Sequence, residues 1–509
     1  MKRLQIDKDT ILCALSGVML AMAFPRPDLA SLAWVGLVPL FLVMSRRPFR
    51  SGFVTGAVFF AVVLYWLNIV MTTFGRLHPV LSVTAYMLLV LYLALFFGAA
   101  TWAAARMQEK LGLSPIVSLP VLWVALEFIR SFLLSGFPWA SLGYSQQSHP
   151  LLYQSADLFG VYGIGFLIVL CNAALAGVVE WLRNRNSRSF PWRGSAVFAL
   201  LFLLNIVYGT WRLGGDVDQR TRQIEATLVQ GNIDQSIKWS PSHQEATVDI
   251  YRRLSLASSG DETDLIIWPE SATPFYFQDD GELGRKVSAV PRETDSYLLF
   301  GSPAYERVGN RYKFLNSAYL LDSDGSVLGR SDKVHLVPFG EYVPLGRLLP
   351  FIDKLVVGIG DFSPGTVSPL PMNGTQVGVL VCYEAIFPEL AREWVRQGSD
   401  LLVNITNDAW FGRSSAPSQH LAMTRFRSVE NRIWIARAAN TGISAFIAPS
   451  GKIVAKTSIF QEETLRESIG TGSRTTLYTR FGDVGPVLCL LFGLFWLVRT
   501  RRRFPSPSP

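Results

Sequence analysis

Apolar positions are gathered toward the two ends of this chain. Eight runs with little or no charge lie at 10–24, 29–44, 52–72, 79–105, 115–135, 158–179, 195–211 and 484–498. A helix needs roughly 20 apolar residues to cross the hydrocarbon core of a bilayer. Five of the runs suffice alone, while 10–24, 29–44 and 484–498 must borrow flanking residues. The pattern predicts eight transmembrane spans. Between 214 and 483 it changes to short β-like runs alternating with helical stretches. Strands are expected at 224–229, 264–268, 297–302, 317–321, 377–381, 400–405, 433–438 and 443–448, and helices at 243–258, 388–397 and 417–431. Several of these strands are apolar throughout, as when both faces of a sheet are covered. Such alternation predicts a layered α/β fold. The expected organisation is spans one to seven in 1–213, an extracytoplasmic domain in 214–483, and span eight with a cytoplasmic tail in 484–509.

Flanking charge gives this topology a direction. Basic residues cluster at Lys2, Arg3 and Lys8, at Arg46, Arg47 and Arg50, at Arg106 and Lys110, at Arg183, Arg185, Arg188 and Arg193, and at Arg499, Arg501, Arg502 and Arg503. Every cluster follows an even number of spans. Cytoplasmic loops carry the Lys/Arg excess, so both termini are expected in the cytoplasm and the 214–483 insert outside. These rims carry a net +12 against +8 for the whole chain, leaving −4 for the rest. The basic balance therefore reports topology and lends no support to a nucleic-acid partner. Ala21-Met22-Ala23 also resembles a signal-peptide cleavage site, a competing reading of the first run.

Of the four cysteines, Cys13, Cys171 and Cys489 fall in predicted spans and Cys382 alone in the insert. Cys382 follows the apolar run Gly378-Val379-Leu380-Val381 and precedes a helix beginning near Pro388. A strand-to-helix elbow of this kind presents a nucleophile. Glu270 closes Asp264-Leu265-Ile266-Ile267-Trp268-Pro269-Glu270, and Lys333 opens Lys333-Val334-His335-Leu336-Val337-Pro338. A thiol is only a few per cent thiolate at neutral pH and needs a base or a cation. Glu270 is suited to remove the proton, and Lys333 to favour the thiolate and then donate to an oxyanion.

These three blocks, in the order Glu, Lys, Cys, resemble those of the nitrilase superfamily over roughly 222–470. The resemblance implies an αββα sandwich and a thioester mechanism. Combined with the spans, nearly the whole chain is similar to the apolipoprotein N-acyltransferase family of the bacterial inner membrane. That resemblance implies that Cys382 takes an acyl chain from a phospholipid. The chain then passes to the α-amino group of a diacylglyceryl-cysteine apolipoprotein, completing lipoprotein maturation. It implies no metal or organic cofactor. It also makes Glu341, Tyr383, Glu384 and Trp239 candidate substrate-binding or supporting residues.

Three membrane-facing features are expected beside the site. They are an apolar lipid-guiding arm at 345–362, an aromatic loop at Trp410 and Phe411, and a lipid entrance lined by 136–156 with Trp139, Tyr144 and Tyr153. Glu127 and Arg130, three apart in span five, are expected to pair on one helix face. His335 is read as structural. Two other functions compete: a membrane-anchored amidase that uses water as acceptor, and a transporter or sensor with a ligand-binding outer domain.

Overall fold

The computed structural model describes residues 7–186, 189–215, 222–258, 263–279, 281–342, 362–472 and 474–502. The chain forms two compact units, one of Met1–Trp66, Val80–Gly215 and Phe481–Pro509, the other of Leu67–Pro79 and Asp216–Arg480.

The first unit is helical, and each of the eight apolar runs forms helix within the described residues. Three helices are long and apolar enough to cross a membrane: Pro79–Leu111, Ala156–Arg183 and Trp192–Gly214. A fourth is reached if Pro48–Val63 and Leu67–Phe74 are counted as one bent span. The others are shorter, such as the 15-residue Lys8–Met22. The 29–44 run breaks into a 3₁₀ turn, Ala30–Trp34, and a short helix, Val38–Val43. Breaking a helix frees backbone groups that need new partners in an apolar setting. Asn172 supplies them, donating to the Ala33 carbonyl and accepting from the Leu37 N–H, each at 2.8 Å. Ser16 accepts from the Leu40 N–H at 2.9 Å. A Cβ at Gly17 would stand 2.6 Å from the Thr55 carbonyl oxygen, so Lys8–Met22 and Pro48–Val63 meet backbone to backbone.

Two expectations for this unit need correction. Glu127 and Arg130 attract each other electrostatically but share no hydrogen bond. Glu127 accepts from Trp123 Nε1 and the Leu142 N–H, while Arg130 donates to the carbonyls of Phe137 and Trp139 and to Ser141 Oγ. The irregular 137–142 backbone needs donors and acceptors more than either side chain needs the other. Trp139, Tyr144 and Tyr153, expected at a lipid entrance, are buried; packing has taken these aromatics inside.

The second unit holds two six-stranded sheets. Its strands are β1 (Arg222–Gln230), β2 (Leu265–Ile267), β3 (Tyr297–Val308), β4 (Arg311–Leu321), β5 (Val327–Asp332), β6 (Leu370–Met372), β7 (Thr375–Val381), β8 (Leu401–Thr406), β9 (Ile435–Ala439), β10 (Ala445–Ile447), β11 (Ile453–Lys456) and β12 (Glu463–Thr471). Their orders are β12-β1-β2-β3-β4-β5 and β11-β10-β9-β8-β7-β6. Side chains alternate between layers, as the two-residue period of a strand requires. Leu265 and Ile267 join Val377, Val379 and Val381 in a core between the sheets. Ile266 and Trp268 face outward into a second core with Val248, Tyr251, Val287 and Val290 of the helices Pro241–Ser258 and Glu282–Thr294. Leu380 and Leu402 face the other way, toward Ala391, Trp394 and Leu421 of Pro388–Arg396 and Ala416–Asn431. The result is the nitrilase-like four-layer αββα sandwich. The central strands β1–β2–β3 and β7–β8–β9 are parallel, so their carboxyl ends share an edge within each sheet.

Every strand and helix expected in the insert is present. The Glu282–Thr294 helix and the strands β5, β6, β11 and β12 were not anticipated. The helix carries five charged residues with Pro291 inside, and buries only Gly284, Val287, Val290 and Pro291. Three of the four strands carry polar, half-exposed or exposed side chains at sheet edges, and β6 is only three residues long.

Candidate active site

Three strand ends bring the predicted chemistry together. Glu270 lies just beyond β2. The Gly301 N–H donates to the Pro269 carbonyl at 3.2 Å, and a Cβ on Gly301 would stand 2.7 Å from Glu270 Cα. Only glycine permits that approach. Lys333 follows β5, where its N–H donates to the Asn316 carbonyl of β4 at 2.8 Å. Cys382 follows β7 with φ +55°, a left-handed conformation unusual for a residue with a Cβ. The elbow expected from the sequence is thus present and strained. Glu270, Lys333 and Cys382 are all buried.

Asn316 organises the acids. Its Nδ2 donates to Glu270 Oε1 at 2.8 Å and to Glu341 Oε1 at 2.9 Å. Lys333 Nζ lies 2.9 Å from Glu341 Oε1 and 3.9 Å from Glu270 Oε1. Glu341 Oε2 accepts from the Val337 N–H at 2.8 Å, closing the turn that carries it. Glu270 Oε2 is buried and has no hydrogen-bond partner among the described residues. One oxygen of Glu270 is therefore fixed while the other is available to take a proton.

The electrostatics define the resting state. Burial and the Glu270 carboxylate push the Cys382 thiol above its ordinary value, with the Lys333 ammonium opposing them. The sulfur rests as a thiol and ionises only as its proton leaves. Burial works against the Lys333 charge, but Glu341 and Glu270 outweigh it and hold the ammonium above its usual range. Lys333 remains a cation throughout the accessible pH range.

Glu384 braces the site. Its Oε1 accepts from the N–H groups of Val334 and His335 at 2.6 and 2.8 Å, and its Oε2 from the Val381 N–H at 2.6 Å. It thereby ties the loop carrying Lys333 to the elbow carrying Cys382. Tyr383 is partly exposed and packs edge-on against Phe387, with centroids 5.2 Å apart. The His335 ring lies over the same Phe387 at 3.9 Å, which fits its structural reading. Trp239 is half-buried and lines a cavity of about 460 Å³ with Phe275, Tyr276, Phe314 and Phe362. Apart from Phe362, the 345–362 arm lies outside the described residues.

A second buried network stands behind Cys382. His420 Nε2 donates to the Cys382 carbonyl at 3.1 Å, and its Nδ1 lies 3.1 Å from both Asp408 Oδ1 and Arg437 Nη2. Arg437 Nη2 is 2.7 Å from Asp408 Oδ2, and Thr406 Oγ1 donates to Asp408 Oδ1 at 3.0 Å. Burial opposes the Asp408 charge, but Arg437 and His420 hold its carboxyl down at about 2. Asp408 opens the short helix Asp408–Phe411. The predicted aromatic loop is there, but it is partly internal. Trp410 packs edge-on against Phe74 at 5.2 Å, and Phe411 against His420 at 6.3 Å. Asn316, Lys238, Asp408, His420 and Arg437 were missed from the sequence. The available signal was a polar residue inside an otherwise apolar run, as Asn316 is in Phe314-Leu315-Asn316-Ser317-Ala318.

Glu270 and Cys382 lie beyond the carboxyl ends of parallel strands, where layered α/β folds place their chemistry, and the fold is that of the carbon-nitrogen hydrolases. The family model described as "Carbon-nitrogen hydrolase" matches residues 225–474. Solved structures similar to the chain include an amidase from Nesterenkonia, 19% identical, with a TM-score of 0.39, covering 52% of this chain and 95% of that one. A carbon-nitrogen hydrolase from Helicobacter pylori is 18% identical, with a TM-score of 0.36, covering 48% and 89%. The "Apolipoprotein N-acyltransferase N-terminal domain" model matches residues 16–174. The apolipoprotein N-acyltransferase of Geobacter metallireducens is 49% identical over 95% of this chain and 93% of its own length. That of Pasteurella multocida is 33% identical over 96% of both. The chain belongs to the apolipoprotein N-acyltransferase family.

Proposed function

We propose that this protein transfers a fatty acyl chain from a phospholipid to the α-amino group of the N-terminal diacylglyceryl-cysteine of apolipoproteins. One observation carries the mechanism: a buried thiol and an ammonium share a site with a carboxylate that has one oxygen fixed and one unpartnered. In the first half-reaction the Cys382 proton passes to Glu270 as sulfur attacks the ester carbonyl carbon. Lys333 Nζ steadies the oxyanion. The ester C–O bond breaks, and the proton on Glu270 goes to the departing lysophospholipid oxygen. In the second, the acceptor amine attacks the thioester carbon and Glu270 takes a proton from nitrogen. The C–S bond breaks, the amide forms, and the proton returns to sulfur. Glu341 keeps Lys333 charged and placed, Glu384 fixes the two loops, and Trp239 and Tyr383 contact substrate.

The membrane setting follows from the sequence pattern. The eight helical runs are read as eight spans with both termini cytoplasmic, in the inner membrane, and the sandwich on the periplasmic side. The test is to incubate the purified protein with acyl-labelled phospholipid and look for hydroxylamine-sensitive label on the chain. Cys382→Ala is expected to carry none, and wild-type labelling of that variant would overturn the mechanism.

A further inference from the structure

Two lysine side chains are buried among the described residues, Lys333 and Lys238. Lys333 has Glu341 and Glu270 beside it. Lys238 is 0% exposed, yet its Nζ donates to a main-chain group, the Glu270 carbonyl oxygen, at 3.1 Å. It makes no ion pair with a carboxylate among the described residues. An ammonium taken out of water without a paired anion is costly to keep, and such groups gather where their charge is used. The charge of Lys238 is felt by Glu270 and by Cys382. Burial draws the ammonium down to about 8, so most of it stays protonated at neutral pH.

Net charge shows what it is used for. Glu270 and Glu341 place two carboxylates around the single ammonium of Lys333. Moving the thiol proton to Glu270 creates a sulfur anion without changing that total, so the anion forms in a site already one charge negative. The other groups facing Cys382 do not correct this. Asp408 is matched by Arg437, His420 presents an N–H to the Cys382 carbonyl, and Glu384 is another acid. Tyr383 brings no cation. Lys238 supplies the missing positive charge.

We propose that Lys238 is a fourth member of the cluster, a positioning residue that holds the main chain of Glu270 and offsets the charge of Glu341. The sulfur anion, and after it the acyl oxyanion, then form against a background one charge less negative. The inference deepens the acyl-transfer reading and rests on it for its purpose. Its test does not depend on that reading, because iodoacetamide reports the sulfur anion without any lipid.

The full chain in detergent is alkylated between pH 5 and 10, and the rate is read on the peptide holding Cys382 by mass spectrometry. Lys238→Met and Lys238→Gln are compared with wild type. Both are expected to move the Cys382 profile up by about one pH unit, roughly tenfold slower at neutral pH. Glutamine can still donate to the Glu270 carbonyl, so its shift isolates the charge from the hold. Pairing Lys238→Met with Glu341→Gln should bring the profile back toward wild type. Folded Lys238 variants that titrate with the wild type would overturn the proposal, as would a double variant that does not return. Should neither Lys238 variant fold, Glu341→Gln alone must move the profile down, and an unmoved profile overturns the inference. Failure of acyl transfer itself would appear separately, as a protein that alkylates normally but takes no label from phospholipid.

Discussion

At the scale of single residues the site depends on shared hydrogen bonds. Asn316 donates to both Glu270 and Glu341 through one amide nitrogen. Removing it leaves the buried Glu270 and the half-buried Glu341 carboxylates short of a donor, a loss of about 1–3 kcal/mol. Asn316→Ala should therefore slow thioester formation roughly 10- to 100-fold, measured by single-turnover labelling. Lys238 makes a prediction of opposite character. Its folded pKa, about 8, lies below the unfolded value of 10.5. The unfolded chain binds more protons between those values, so wild-type stability should rise from pH 8 to 10.5 relative to Lys238→Met, read from thermal melts. Glu270 and Cys382 were legible because each sits where an apolar run stops, and Lys333 because a largely apolar run starts there. Asn316 and Lys238 were not, since a lone amide in a strand reads as a defect, and a lysine in the polar turn 235–239 as a surface position, until their neighbours are known.

At the scale of elements, backbone conformation carries the chemistry. Cys382 sits in the left-handed region, and its carbonyl is the acceptor of His420. Asp408 and Arg437 orient that imidazole. The folded pKa of Asp408, about 2, lies below its ordinary 3.8. Its stabilisation is complete above the higher value and is lost as pH falls toward the lower. The stability gap between wild type and Asp408→Asn should thus stay level above pH 4 and close toward pH 2 in acid denaturation. Gly301→Ala tests the β2 end. A methyl there meets main-chain atoms at 2.5–2.8 Å, which have no room to yield. The variant should lose most thioester formation while still folding to a sandwich by circular dichroism. The strands were legible because four stacked layers make central strands apolar on both faces. The missed elements lie at edges or on the surface, where burial leaves a weak imprint on sequence. Glu127 and Arg130 misled for another reason: helical spacing showed that they could meet, but not that the following loop would claim both.

At the scale of the whole molecule, topology is the open quantity to measure. Asn186 adjoins a basic loop and Gly309 sits in the exposed turn between β3 and β4. With the native cysteines replaced, Gly309→Cys should react with a membrane-impermeant maleimide on intact spheroplasts. Asn186→Cys should react only after permeabilisation, and the reverse pattern would invert the proposed orientation. Length and composition alone single out three helices, or four with the bent pair. The proposed count of eight comes from the apolar runs of the sequence, and the basic clusters set its proposed orientation.

The second unit is not one stretch of chain. It takes in Leu67–Pro79, whose Phe74 lies against Trp410 and whose Ile69 lies against Gly412, one turn from the aspartate that orients His420. A fragment cut out as 216–480 would therefore lack thirteen residues of this unit and bare the face of Trp410 that Phe74 packs against. Anyone trimming this protein for soluble assays must graft that short piece back, or expect clumping where catalysis was wanted.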